Sequence, residues 1–498
     1  MTAQRVKKVV IAGGGTAGWC VAAALGKHLG SLLDVTLVES SEIGIIGVGE
    51  ATIPTITAFH NRLGIDEPEF VGATHAGIKL GIAFHNWARR GDYYFHSFGH
   101  LGKSMWITPF HSLWLQARAD GYGGDLGDYC FELQAAEAHR FAISGKHKLN
   151  YAYHFDTALY GPFMRRLSEA SGVKRIEGKI THAEQDDHTG FITRIVLESG
   201  QAIDGDLFID CTGFRGLLIE QTLKTGYEDW DHWLANDRAW AVQTQSTGLL
   251  DPYTSAIAHD AGWRWEIPLQ SRVGNGFVYS SPHLSDDEAR ARFVSALKGP
   301  MIKEPMHIKF RTGRRNRIWN KNCVAFGLAS GFIEPLESTN IHLMQVSATR
   351  LVQMFPFDGI TSSLVDYFND LTRSEVEHIR DFVIMHYKLT ERDDTAFWRS
   401  RRDMELPEAL KARLDLFREH GFISPPPEDV FRLDSWLQVM TGQRFEPRGR
   451  HRFGQLFTRE ELTGALAGLR AQVAHSVANT PDYEGFIRSY GRLADPAV

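Results

Sequence analysis

The chain has 498 residues, 43% hydrophobic and 23% charged, which is enough for one large two-part enzyme or two to three ordinary domains with ample core. Its 54 basic against 60 acidic residues leave a formal charge of -6, giving no electrostatic reason to expect nucleic acid or an anionic membrane as partner. Cys20, Cys130, Cys211 and Cys323 form no CxxC pair, which argues against a disulfide framework or a metal site and fits a reducing cytoplasm.

Residues 6 to 12, Val-Lys-Lys-Val-Val-Ile-Ala, form a β-rich run suited to a buried strand. Small and apolar residues from Ala17 to Leu29 suit a helix packed closely on that strand, and Asp34 to Glu39 suit a second strand that completes a βαβ unit. The basic opening followed by an apolar stretch superficially resembles a secretory signal, but Gly13, Gly14, Gly15 and Gly18 break the stretch. No apolar run reaches the roughly 18 residues of a membrane span. The glycines have another explanation. Gly13-x-Gly15-x-x-Gly18, with Thr16 and Ala17 inside it, directly follows the strand and opens the helix. Such glycines permit a tight turn, a close backbone approach to a pyrophosphate and tight helix–strand contact. Helix N-terminal amides then hold the phosphates, and Glu39 is placed to accept from a ribose hydroxyl. A dinucleotide site is expected.

Strand-like runs recur at Phe191 to Leu197, Asp206 to Asp210 and Cys323 to Phe326. The second of these ends in an acidic residue and the turn Cys211-Thr-Gly213, as a second nucleotide-contacting strand would. Gly121-Tyr-Gly123-Gly-Asp-Leu-Gly127 misses a second GxGxxG by one residue, so a built-in nicotinamide domain is not expected.

Helices become clearer downstream. Ser285 with Glu288 predicts a capping box before Ala289 to Lys298, and Thr372 with Glu375 predicts another before a helix running to Tyr387. Pro407 to His420 predicts an amphipathic helix stopped by Gly421. Pro425-Pro426-Pro427 reads as a stiff loop. The expected fold is mixed α/β, with a Rossmann-like nucleotide-binding and catalytic core over 1–350, carrying added sheet. A mainly helical portion over 351–498 is expected to fold against that core.

Trp263-Arg-Trp265-Glu-Ile267-Pro268 places two tryptophans on one face of a strand that Pro268 ends. By itself this is more often core packing than an active site. Three further segments accompany it: Gly13-Gly-Gly-Thr-Ala-Gly18-Trp19, Ile46-Gly47-Val48-Gly49-Glu50-Ala51-Thr52-Ile53-Pro54, and Glu334-Pro335-Leu336-Glu337-Ser338-Thr339. Together, in this order, the four resemble the motifs of the flavin-dependent halogenases of the tryptophan halogenase type. The resemblance covers about the first 350 residues. It implies FAD, used as FADH2 from a separate flavin reductase, with O2 and bromide or chloride as co-substrates that yield hypohalous acid. It also implies that the Trp263 to Pro268 segment lies near the flavin, and that Gly49 and Ala51 belong to the stretch linking flavin and substrate sites.

In the family pattern Lys79, within Gly77-Ile-Lys79-Leu-Gly81, matches the essential lysine, where an ammonium directs hypohalous acid at the ring or forms a haloamine. Glu337 matches the partner carboxylate, polarising the electrophile or stabilising the cationic ring and removing its proton. Taken alone, Lys79 reads as a surface charge and Glu337 as an acidic residue near a helix start. Backbone amides at Thr339 and Asn340 match the halide site. Many tryptophan-specific members have glycine where this chain has Asn340, and asparagine also reaches left-handed conformations.

The expected substrate is an electron-rich aromatic ring: indole, tryptophan or a larger indole derivative. Tryptophan-specific members tend to hold the amino acid with a C-terminal Tyr-Tyr pair, but here the pair is Tyr93-Tyr94 and the C-terminal segment carries Trp436. His100, His111 and Trp114 are candidates for a ring-sandwiching pocket. Family habit alone implies a homodimer. An aromatic hydroxylase of the flavin monooxygenase class is the alternative enzyme, though it gives no reason for the Trp263 to Pro268 pattern together with Lys79 and Glu337. A non-catalytic FAD-binding protein is the alternative of another class.

Overall fold

A computed structural model describes residues 5–43, 49–105, 107–423 and 429–490. The segments Ile46–Val48 and Pro425–Pro427, singled out above, lie outside the described residues. The chain forms two compact units, each assembled from three stretches.

The first unit comprises Met1–His75, Phe155–Asp237 and Lys309–Glu377. Its main sheet has six strands in the order Trp319–Asn320, Cys323–Ala325, Leu207–Asp210, Lys8–Ala12, Asp34–Glu39, Lys174–Glu177. All neighbours are parallel except the first pair. Val9 to Ala12 are buried on both faces, as a central parallel strand requires. The helix Thr16–Leu29 buries Gly18 through Gly26 and lies against the helices Thr157–Ala170 and Asn340–Gln353. The expected βαβ unit is present, with its glycine turn between strand and helix.

The second unit comprises Ala76–His154, Arg238–Ile308 and His378–Val498. Its seven-stranded sheet starts at Met306–Lys309 and passes through Arg238–Thr244, Val273–Tyr279, Gly262–Pro268 and Thr254–His259, the last four antiparallel in turn. It continues to Gly81–His85, parallel to the last of these, and then to Tyr93–Ser97. From residue 362 onwards the described chain contains helices and no strand.

Two helix signals are borne out. Glu408–His420 is a helix stopped by Gly421 in the left-handed region at φ 64°, and Ser285 caps Asp286–Ser295 through Glu288 N–H. The second capping box is not there. Thr372 sits in the middle of one long helix, Ser362–Lys388, and its hydroxyl donates back to Phe368 O at 2.8 Å. A hydroxyl that bonds its own preceding turn is compatible with a helix interior, which the four-residue spacing does not reveal. The box that does form was not anticipated: Thr458 and Glu461 open Arg459–Ala478. Among the described residues no helix is long and apolar enough to cross a membrane.

Buried polar groups tie the first unit's helices together. His60 Nε2 hydrogen-bonds Tyr160 OH at 3.0 Å inside a cluster with Phe70. Burial lowers the His60 pKa from 6.5 to about 3. The folded value lies below the unfolded one, so this histidine's contribution is complete above pH 6.5 and is lost as pH falls towards 3. The urea midpoint is therefore expected to drop over that window, and His60→Gln to flatten the drop by up to about 1.4 kcal/mol per pH unit. Equal slopes for both proteins would refute this.

At the glycine turn, a Cβ on Gly18 would stand 1.9 Å from Gly13 O. Gly18→Ala must lift the helix off the strand and is expected to cost about 3 kcal/mol. Urea unfolding followed by tryptophan fluorescence measures it, and a change below about 0.5 kcal/mol would contradict the close contact.

Candidate active site

In the second unit, the strand Gly77–Lys79 pairs antiparallel with residues 152–154, setting Gly77 opposite His154 and Lys79 opposite Ala152. Lys79 is 0% exposed, and its Nζ lies 5.2 Å from the centroid of the Phe98 ring. A buried ammonium is costly unless neighbouring groups compensate it, and an aromatic face is one such group. His154, also fully buried, hydrogen-bonds Thr254 Oγ1 at 2.8 Å. Burial, and then the Lys79 charge, push its pKa well below the usual histidine range, so it stays neutral. The flanking glycine Gly81 is required by space, because a Cβ there would stand 2.3 Å from the Phe95 ring and 2.4 Å from His96 O. The Gly-x-Lys-x-Gly pattern thus reflects close strand contact around a buried cation.

Trp263 and Trp265 lie on the strand Gly262–Pro268, both buried, with ring centroids 5.9 Å apart. They share a face, as the two-residue spacing predicts. Trp263 leans on Trp87, and Trp265 covers Gly276 on the neighbouring strand, where any Cβ would come within 1.9 Å of the indole. Ile267 is buried and Pro268 ends the strand. Pro268 O stands 3.5 Å from the place a Cβ on Gly77 would take, so this segment reaches the lysine strand.

The first unit holds the other candidates. Glu337 closes the short turn Pro335–Glu337 at 0% exposure, and Glu334, 1% exposed, accepts from Asn236 Nδ2 at 2.9 Å. Ser338 follows in the left-handed region at φ 59°, then Thr339 as N-cap of the helix Asn340–Gln353. The left-handed residue is therefore Ser338, and Asn340 opens the helix instead. Thr339 makes no side-chain cap, so the first helical amides are not claimed by it. Asn340 lines a shallow cleft with Gly327, Leu328, Phe332, Ile333 and Met344.

At the nucleotide turn, Gly13 takes φ 109°, and a Cβ on it would stand 2.4 Å from Cys211 O. Gly15 is the N-cap of the helix, which Thr16 and Ala17 begin, and it has no capping side chain. A Cβ at Gly15 would meet nothing within 4 Å, so there is open space beside the uncapped start of the helix, as a phosphate there would need. FAD fits there. Glu39 ends its strand and accepts from Trp19 Nε1 at 3.2 Å and Arg175 Nε at 2.5 Å. Gly49 and Ala51 bound a short strand. Asp210 is a structural cap, its two oxygens taking Thr212 N, Thr212 Oγ1, Leu218 N and Ile219 N. Among the described residues no group of three or more His, Cys, Asp or Glu side chains is placed to hold a metal.

Asp434 links three of the pocket candidates: it bonds His100, its charge reaches His111, and it lies on the helix Leu433–Gly442 that carries Trp436. His100 is exposed, bonded to Asp434 Oδ2 at 3.0 Å. His111 and Trp114 are buried on the helix Phe110–Ala119, and Trp114 Nε1 donates to Gly124 O. Trp436 is buried between Phe382 and the Arg413 guanidinium. Phe98 and His154, which the structure puts near Lys79, and Thr254, which bonds His154, carried no sequence signal. His96 is also buried, facing the stacked pair Phe382 and Phe431.

A family model described as tryptophan halogenase matches residues 8–459. The tryptophan 7-halogenase RebH of Lentzea aerocolonigenes is 36% identical over 453 residues, 86% of this chain and 85% of that protein. Among solved structures, a flavin-dependent halogenase from Xanthomonas campestris is 50% identical with a TM-score of 0.96, covering 98% of this chain and 99% of its own. BrvH, a flavin-dependent halogenase from Brevundimonas sp. BAL3, is 40% identical with a TM-score of 0.94, again covering 98% and 99%. The chain therefore belongs to the tryptophan halogenase family: it is an FAD enzyme that halogenates with halide and O2, its FADH2 coming from a separate reductase.

Proposed function

We propose that this enzyme halogenates an electron-rich indole-type ring and that Lys79 presents the halogen to it. The observation that carries the reading is the fully buried ammonium of Lys79 beside the Phe98 face and a neutral imidazole. Reduced FAD with oxygen supplies the oxidising power that converts halide to hypohalous acid. Lys79 Nζ donates a hydrogen bond to that acid and holds it towards the ring, water being scarce around a side chain so deeply buried. Glu337, buried beside a helix N-terminus, is a carboxylate suited to stabilise positive charge and to accept a proton. Thr339 and Asn340 amides at that N-terminus suit an anion such as bromide or chloride. The turn from Gly13 to Gly18 suits the FAD pyrophosphate, and Glu39 its ribose. RebH is named for tryptophan, and indole or a larger indole compound extends that ring class to this chain. The four cysteines are free thiols, which supports a cytoplasmic setting.

The test is a reaction with FAD, a flavin reductase, NADH and O2, offering indole and tryptophan with bromide or chloride in turn. Mass spectrometry is expected to find the halogen isotope pattern on an indole ring. Lys79→Ala should abolish it, and Glu337→Gln should lower the rate on the order of a hundredfold. FAD binding and the melting temperature should hold in both variants. Oxygenated product without halogen would overturn the reading in favour of a hydroxylase.

A further inference from the structure

The strand that carries Lys79 is only three residues long and lies at the edge of its sheet. An edge leaves backbone groups without ladder partners, and buried ones must be satisfied otherwise. Here the partner comes from the far end of the chain. Tyr483, the first residue of the helix Tyr483–Tyr490, is 0% exposed, and its hydroxyl oxygen accepts from Ile78 N–H at 2.8 Å. Gln270, two residues beyond Pro268, donates to Ala76 O at 2.6 Å, and Leu80 N–H donates to Pro252 O at 2.7 Å. The backbone on both sides of Lys79 is thus pinned from outside the strand, by Tyr483 on the N-terminal side and by Pro252 on the C-terminal side. Gly77 makes this approach possible, since a Cβ there would stand only 3.1 Å from the Tyr483 hydroxyl.

We infer that Tyr483 is a positioning residue for Lys79: its hydroxyl replaces the missing ladder partner of Ile78 and fixes where the adjacent ammonium is held. This rests on the reading of Lys79 given above. Burial raises the Tyr483 pKa above the ordinary tyrosine range, so the group remains a neutral hydroxyl. The helix itself is anchored independently, by Tyr483 N–H on His139 O and by the Tyr483 and Phe486 rings against Phe141. Removing the hydroxyl alone should therefore leave the helix docked and free the lysine strand.

Tyr483→Phe in the full-length FAD-loaded enzyme tests this, with Lys79→Ala and Glu484→Ala in parallel. Glu484 accepts from Leu250 N–H at 3.3 Å and makes no contact with the lysine strand, so its loss reports on helix docking only. Hydrogen exchange of the 76–80 peptide, which needs no substrate, should speed up in Tyr483→Phe and stay unchanged in Glu484→Ala. With indole and bromide, Tyr483→Phe should lower kcat on the order of tenfold to a hundredfold while KM and FAD affinity move less than about twofold. Gly77→Ala, which pushes the hydroxyl away from the other side, should reproduce that phenotype. Unchanged exchange at 76–80 in Tyr483→Phe overturns the proposal whatever ring the enzyme prefers, and so does a wild-type kcat beside an inactive Lys79→Ala. Full activity of Lys79→Ala would instead overturn the reading of Lys79 itself.

Discussion

Lys79 holds its ammonium entirely out of water, and much of the second unit can be understood as the means of tolerating that. A charge in such a place needs neighbouring groups that favour it, and an electron-rich aromatic face is one of them. Phe98 supplies the face. His154 sits on the paired strand and is kept uncharged, partly by its own burial and partly by the lysine. The two groups are therefore complementary: a protonated His154 would set two buried cations side by side. Strand residues on either side of the lysine are held by groups from elsewhere in the unit, which limits the loss of position that a long flexible side chain would otherwise bring.

The first unit uses helix N-termini in a comparable way. The helix after the glycine turn and the helix after Ser338 both begin without a side-chain cap, and they lie against each other. Each presents amides with partial positive charge to the space in front of it. Gly327, in the left-handed region, fits where a Cβ would come within 2.7 Å of Ala17 and 3.4 Å of Met344, one residue on each of the two helices. Close contact at that glycine keeps both amide ends in fixed relation within the unit. Glu337 beside one of them is favoured by the same dipole.

Local signals in the sequence were readable where the decisive interaction was itself local. The strand, glycine turn and helix of residues 8 to 29, and the helix ended by Gly421, follow from steric rules that act within a few residues. Thr372 shows the limit. Its spacing to Glu375 copies a capping box, yet the surrounding helix runs on because Ser362–Lys388 is stabilised along its length and the hydroxyl turns back on Phe368. At Asn340 the residue type pointed to a left-handed position that the backbone places two residues earlier, at Ser338. Lys79 and Glu337 were legible only through motif resemblance, since a single lysine or glutamate carries no chemical pattern of its own. Phe98, His154, Thr254 and Tyr483 were not legible at all, because strand pairing and docking between segments from 19 to about 400 residues apart assemble the surroundings of the lysine strand.

Trp265 over Gly276 has a further consequence. The indole fills the volume that any side chain at 276 would need, so the two positions do not vary independently. A glycine replaced while the tryptophan remains meets a rigid ring, and a tryptophan replaced while the glycine remains leaves a void in the sheet. Sequence drift at this part of the strand must then pass through coordinated double change or not at all. For laboratory evolution the practical meaning is that libraries varying either position singly will consist largely of unstable proteins, whereas a library that recodes both together can reach new shapes of the aromatic wall.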